Sequence, residues 1–148
     1  MSNKIIDIAD ALANSLAAYT FTSVAIAPEV LRDHWLSYTV EDMADPVIAV
    51  VPAGIETVRT SRDAQQYDYT INVFVGRQAA TTAQADAVSD LFEEVQDAIW
   101  AHTWDSGVAW PSGTSSPMGV TAELNPNDGL NERNVWRGVL EVNYRLFR

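Results

Sequence analysis

The alternation of apolar and polar residues between positions 67 and 75 is the most regular pattern in the sequence. Every second position carries an apolar or aromatic side chain, namely Tyr67, Tyr69, Ile71, Val73 and Val75. A period of two in residues rich in β-branched and aromatic types predicts a strand with one buried side. Apolar segments over 45–52 and 55–59 predict its partner, with a polar turn over 60–66 between them. The stretch therefore predicts a long β-hairpin whose second strand ends at Gly76.

The period changes to that of a helix between positions 82 and 101. Apolar residues follow the spacing of one helix face, at Val88, Leu91, Phe92, Val95 and Ile99. Five acids occupy the other face, at Asp86, Asp90, Glu93, Glu94 and Asp97. Thr81 and Gln84 have the spacing of a capping box, in which two side chains satisfy backbone donors at a helix start. The segment predicts an amphipathic helix that lies on the sheet.

The remaining elements are predicted from shorter patterns. A first helix over 3–19 has its apolar stripe at Ile5, Ile8, Leu12 and Leu16, and a strand over 21–27 is stopped by Pro28. Residues 29–35 are ambiguous, 39–43 suit a short helical turn, and 103–117 suit a loop. Two more strands follow over 118–124 and 135–147, joined by a turn-rich connection. The order predicts a single α+β domain over 1–148, with a mostly antiparallel sheet, a long β-hairpin and two main helices on one face.

Composition limits what the chain can be. Its 148 residues are 47% apolar, which suits one domain with a hydrophobic core. The sequence has no run of 18 apolar residues that would predict a membrane span, so we expect no membrane contact. The N-terminus does not have the pattern of a signal peptide, so we expect synthesis in the cytoplasm. There is no cysteine, and 20 acids against 9 basic residues give a net charge of -11. Such a surface repels nucleic acid, and thiol chemistry is excluded.

No pattern in the chain indicates catalysis, a metal or a cofactor. The two histidines, His34 and His102, lack partners at metal-ligand spacing. The serines of the 103–117 loop lack a nucleophile elbow, and no glycine-rich phosphate loop occurs. The acids of the second helix lie opposite its apolar stripe, where we expect water to solvate them and their pKa values to stay ordinary. We therefore expect no catalytic, cofactor-binding or metal site, and no enzyme activity.

Two segments carry residue types that are typical of protein interfaces. The hairpin turn has Arg59, Arg62 and Asp63, and the 103–117 loop has Trp104 and Trp110. Arginine and tryptophan are the residues most enriched at interface hot spots. These five residues are the candidate interface, with the alternative that both tryptophans fold back onto the core.

Several features occur together in the chain: the element order, residues 50–56 (VVPAGIE), the arginine-bearing turn, residues 67–73 (YDYTINV), the acidic helix and the final strand. In these features the chain resembles small virion proteins from the tail-gene neighbourhood of long-tailed bacteriophages and prophages, and above all tail terminator, or tail-completion, proteins. This resemblance covers nearly the whole chain.

That resemblance implies a homohexameric ring in the tail or neck of a virion. The ring would cap the head-proximal end of the tail tube, contact the tail tube protein and the neck or connector proteins, and form the head-tail joining surface. DNA would pass through its lumen without specific binding, which an acidic wall permits. Heterologous contacts would close the ring, with Arg59 and Arg62 at the hairpin as the first candidates.

Other classes of protein stay open. A different neck or head-completion protein is the nearest alternative. An acidic assembly chaperone would be a monomer or dimer with an exposed apolar groove. An enzyme would need a pocket with convergent polar groups, for which the sequence has no pattern.

Overall fold

One five-stranded sheet with two helices forms the described part of the chain. The computed structural model describes residues 4–23, 28–34, 45–62, 64–78, 81–100, 110, 117–124 and 135–147. The elements are α1 (Lys4–Ala18), β1 (Glu29–Arg32), β2 (Val47–Arg59), β3 (Gln65–Gln78), α2 (Thr82–Trp100), β4 (Gly119–Leu124) and β5 (Val135–Phe147). The strand order is β1-β2-β3-β5-β4, in which β1 and β2 run parallel and the other neighbours antiparallel. The predicted α+β class with a mostly antiparallel sheet is confirmed.

Both helices pack on the same side of the sheet. Helix α1 lies against β1 and β2, and α2 lies against β3 and β5. The apolar side of the alternating strand, with Ile71 and Val73, belongs to one buried cluster with Leu12 of α1 and Leu91 of α2. Five residues of β5 complete it, namely Trp136, Leu140, Val142, Tyr144 and Leu146. The predicted apolar stripes therefore form the core, and we call this side of the sheet the helix side.

Two strand predictions differ from the structure, and one strand lies in a segment for which the sequence predicts no element. Residues 21–23 lie outside any strand, and the rest of the predicted 21–27 strand lies outside the described residues. The edge strand is instead β1, in the segment that the sequence left ambiguous. Strand β3 continues through Gly76 to Gln78, because Gly76 keeps its place in the pairing with β5, opposite Arg137. The predicted turn over 39–43 falls outside the described residues.

The start of helix α2 agrees with its predicted cap. The hydroxyl of Thr81 accepts a hydrogen bond of 3.2 Å from the backbone N–H of Gln84. One of the backbone donors that a helix start leaves free is thereby satisfied. The prediction that Thr81 begins the helix is confirmed.

Glu94 joins helix α2 to the segment that follows α1. Its carboxylate accepts hydrogen bonds of 3.0 Å from the backbone N–H groups of Thr22 and Ser23 and one of 2.9 Å from the Thr22 hydroxyl. Partial burial alone would raise the pKa of Glu94, but these hydrogen bonds outweigh it and hold the pKa below its ordinary value. For Glu94 the expectation of an unperturbed, solvated carboxylate is therefore wrong.

Replacing Glu94 with glutamine should lower the free energy of unfolding by about 1 kcal/mol at pH 7, because a charged acceptor of several hydrogen bonds is lost. Since the pKa in the folded state lies below the ordinary value of 4.5, the charged form stabilises the fold. The contribution is complete above that value and is lost as the pH falls through the folded-state pKa. Urea unfolding of both proteins between pH 7 and pH 3 measures it. Glu93→Gln, at the exposed neighbouring position, is the control and should change stability by less than about 0.5 kcal/mol. Equal losses for the two variants would contradict the prediction.

Candidate assembly surface

The far end of the β2–β3 hairpin extends past the cover of strand β1. Strand β1 pairs with β2 only from Val47 to Val50. A register shift at 52–54 follows, and six further residues, 54–59, pair with β3 down to the turn. At about 3.3 Å per residue this length corresponds to roughly 20 Å. We call residues 54–62 the hairpin end.

The hairpin end is exposed and yet well supported. Ile55 is 56% exposed and Val58 is 44% exposed, although both are apolar strand residues. Strand β5 accompanies β3 as far as the Gln66–Phe147 pair, so the arm is three strands wide. The turn is closed by backbone hydrogen bonds of 3.2 Å from Thr60 and Ser61 to the carbonyl of Ala64. Such a support fixes the arm before any partner binds, which lowers the ordering cost of association.

Of the five predicted interface residues, two lie at the hairpin end, one lies at the core, and two fall outside the described residues. Arg59 ends β2 and Arg62 is in the turn, and both are exposed. Within the described ranges neither side chain forms a hydrogen bond or an ion pair. Asp63 and Trp104 fall outside the described residues. Trp110 is partly buried, with its ring centroid 5.4 Å from that of Tyr144, so this ring packs on the core.

A shallow groove of about 340 Å³ crosses the sheet on the side away from the helices. Asp68 on β3 and Arg145 on β5 are paired in the register and joined by a 2.9 Å contact from Arg145 Nε to Asp68 Oδ1. The hydrogen bond from Arg145 holds the pKa of Asp68 below its ordinary value, and Gln66 contributes in the same direction. Asp68 is therefore paired and ionised at neutral pH, and its lowered pKa makes it a weak base. The groove is lined by Glu56, Asp68, Thr70, Met118, Gly119, Asn143, Tyr144 and Arg145.

A row of carboxylates runs along the outer side of helix α2. Asp86, Asp90, Glu93 and Asp97 are all exposed, and their spacing of four, three and four residues places them in one line opposite the buried stripe. We call these four residues the acidic row. At 1.5 Å per residue the row is about 16 Å long. No ion pair or hydrogen bond to a described residue involves any of the four side chains.

The described residues contain no group of three or more metal-ligating side chains. Of the two histidines, His34 is exposed next to Arg32, and His102 lies outside the described residues. None of the helices in the described ranges has the length and apolar character to cross a membrane.

Sequence patterns alone missed the pairing of Asp68 with Arg145. Each residue is recognisable as belonging to the polar side of its strand, but the two are 77 positions apart. Their contact depends on β3 pairing with β5 in one register, which no local pattern specifies. The line formed by the acidic row, in contrast, can be read from its spacing.

The chain is similar to known proteins in its fold, but no family model or curated sequence matches it. A solved structure, the virion of a native gene transfer agent particle, contains a similar chain with a TM-score of 0.65 and 14% identity. The match covers 99% of this chain and 100% of that chain. The fold of the described residues is therefore similar to that of a chain in a gene transfer agent virion.

Proposed function

We propose that this chain is a structural protein of a phage-like virion, and that it acts as the tail terminator, closing the head-proximal end of the tail tube as a homohexameric ring. The observation that carries the proposal is the likeness, over nearly the full length of both chains, to a component of a virion particle. That likeness supports the virion role. The terminator role rests in addition on the resemblance of the chain to tail-completion proteins.

The surface of the described residues suits assembly better than catalysis. The long arm of the hairpin end is paired with β5 and carries exposed Ile55 and Val58. It also carries Arg59 and Arg62, which form no ion pair with a described residue. In a ring with heterologous contacts, an arm on one copy meets a different surface on the next, and rotation closes the set. In this proposal the chain is not an enzyme; it works through contacts with itself, with the tail tube protein and with the neck or connector proteins.

The negative charge of the chain fits a wall along which DNA moves. A net charge of -11 repels phosphate groups, so DNA can pass through the lumen without being held. The same negative charge makes identical subunits repel one another, so the contacts between subunits must outweigh this repulsion.

The mass of the purified protein tests the ring. Light scattering at two concentrations, with negative-stain imaging of the peak, should show a particle of six 16.3 kDa chains with a central hole. Added to tubes of the tail tube protein of the same particle, the labelled chain should bind at one end only. A stable dimer that ignores tubes would contradict the proposal and favour an assembly chaperone. Binding to the head vertex and not to tubes would favour a neck or head-completion protein.

A further inference from the structure

We infer that Arg59 and Arg62 at the hairpin end of one copy dock on the acidic row of helix α2 in the next copy. This contact deepens the proposed function, on which it rests, by naming the two surfaces that join neighbouring subunits. The occupant of the acidic row is thus a second copy of this chain.

The first argument is that the acidic row destabilises helix α2 in an isolated chain. Like charges three and four residues apart on a helix destabilise it by about 0.2–0.5 kcal/mol per pair. Helix α2 has no acid in its first turn and no basic residue in its last turn, so its charges do not follow the helix dipole. No described cation compensates the row. A partner with positive charge would relieve this repulsion.

The second argument is where the unpaired positive charge lies. Nine basic residues face twenty acids in the chain. Arg32 pairs with Asp10 at 2.7 Å, and Arg145 pairs with Asp68. Arg59 and Arg62 are exposed, adjacent to one turn, and without an ion pair among the described residues. Arg59 and Arg62 thus form a pair of exposed positive charges on an acidic molecule, and we call this pair the tip. Glu56 lies on the same strand as Arg59, and Asp63 follows Arg62 in the sequence.

The third argument is fit. The tip and the acidic row are on the same molecule but form no ion pair with each other. Contact between them is therefore available between copies. The arm of roughly 20 Å carries the two arginines beyond the cover of β1, where a second copy can reach them. A tip that meets a helix on the next copy is a heterologous contact, the type that closes a ring by rotation.

Nucleic acid is the other class of partner for two arginines, and the charge balance disfavours it. Phosphate binding needs several cations on one face, whereas the tip has two and the molecule carries an excess of acids.

Charge exchange between the two surfaces tests the contact. The tip variant Arg59→Glu/Arg62→Glu and the row variant Asp90→Arg/Glu93→Arg each place like charges at the contact. Each alone should associate about a hundredfold more weakly than the natural chain by light scattering, with an unchanged circular dichroism spectrum. Mixed in equal amounts, the two variants should associate again, because the reversed tip fits the reversed row and the natural tip fits the natural row. An even-membered ring closes with the two variants in alternation.

A matched control separates a specific contact from net charge. The chain that combines the tip variant with Asp90→Arg/Glu93→Arg has the natural net charge and should associate. The tip variant combined with Glu29→Arg/Glu123→Arg has the same net charge, with the reversals at exposed sites on β1 and β4. This control should stay dissociated. Recovery in both combinations would overturn the inference, because net charge alone would then explain association.

The outcomes distinguish this contact from the ring itself. A ring that persists in both double variants would overturn the contact and leave the proposed function standing. Association that is not a ring, but is lost and recovered as described, would support the contact and overturn the terminator. A natural chain that stays monomeric at every concentration would overturn the contact, while end-binding to tail tubes would still support the proposed function. Unchanged mass with loss of retention on immobilised duplex DNA in the tip variant would assign the arginines to nucleic acid and overturn the inference.

Discussion

Replacing Ile71 with alanine is expected to lower the free energy of unfolding by about 2–5 kcal/mol. Ile71 lies in the middle of β3, pairs with Pro52 on one side and Val142 on the other, and is fully buried in the core. The change removes apolar contacts and leaves a cavity between the sheet and the helices, which relaxation fills only in part. Since a domain of this kind is stable by about 5–15 kcal/mol, the loss is a large share of the total.

Ile55→Ala is the matched control for this substitution. Ile55 lies on the neighbouring strand, opposite Tyr69, and therefore on the same side of the sheet as Ile71. It is exposed, so the same change in composition should alter stability by less than about 0.5 kcal/mol. Urea unfolding of both variants, at a concentration where the chain is dissociated, measures the difference. Similar losses of stability at both positions would contradict the assignment of Ile71 to the core and of Ile55 to the exposed hairpin end.

The elements predicted well from the sequence are those with one buried side. In β3 and α2 only one side faces the core, so residues such as Val73 and Val95 are buried while their neighbours are polar, and the period shows the element type. The turn predicted over 60–66, where polar residues interrupt two apolar runs, is also found, although Gln65 and Gln66 belong to β3. The exposure of Arg59 and Arg62 follows from that turn and is found in the structure.

Other elements of the fold show no such periodicity of apolar residues in the sequence. The first half of β2 is buried on both sides, so residues 47–51 form a continuous apolar run that specifies a buried segment without a face. Strand β1 has four residues, too few to establish a period, and its place beside β2 in a parallel pair depends on the whole sheet. Gly76 suggested a strand end by residue type, but pairing with β5 on the other side holds it in the strand. Tertiary context decides in each case.

The candidate assembly surface also combines features that local sequence predicts with features that depend on tertiary structure. The positive tip and the acidic row are each local features of sequence, one a turn and one a helix spacing. Their lack of partners among the described residues depends on the three-dimensional arrangement of the chain. Glu94 shows what local sequence cannot reveal. It is adjacent to Glu93 on the same helix, but its carboxylate binds Thr22 and Ser23, which are 72 and 71 positions away in the chain. A spacing pattern cannot distinguish a carboxylate that holds the fold together from one that is available to a partner.

Replacing Gly138 with alanine should destabilise the protein by about 1–3 kcal/mol, although alanine is ordinarily the better residue in a strand. Gly138 lies on the helix side of β5, directly under Phe92 of α2. A Cβ atom at this position would lie 2.6 Å from Phe92 Cδ1 and 2.9 Å from Phe92 Cζ. The ring has little room to move, because it is buried and packs edge-on against Trp136 at 5.4 Å between centroids. Helix α2 must therefore shift away from the sheet or the ring must leave its rotamer.

A double-mutant cycle identifies the clash as the cause. Phe92→Ala alone should cost about 3–5 kcal/mol through the cavity that it leaves. In that background Gly138→Ala should cost almost nothing, since the new methyl group points into vacated space, and the two losses should differ from additivity by about 1–3 kcal/mol. Gly54→Ala is the control, because no atom lies within 4 Å of a Cβ built there. It should be neutral or stabilise by up to about 1 kcal/mol through the unfolded state. Strictly additive losses at Gly138 and Phe92 would contradict this close approach, and with it the seating of α2 that turns the acidic row outward.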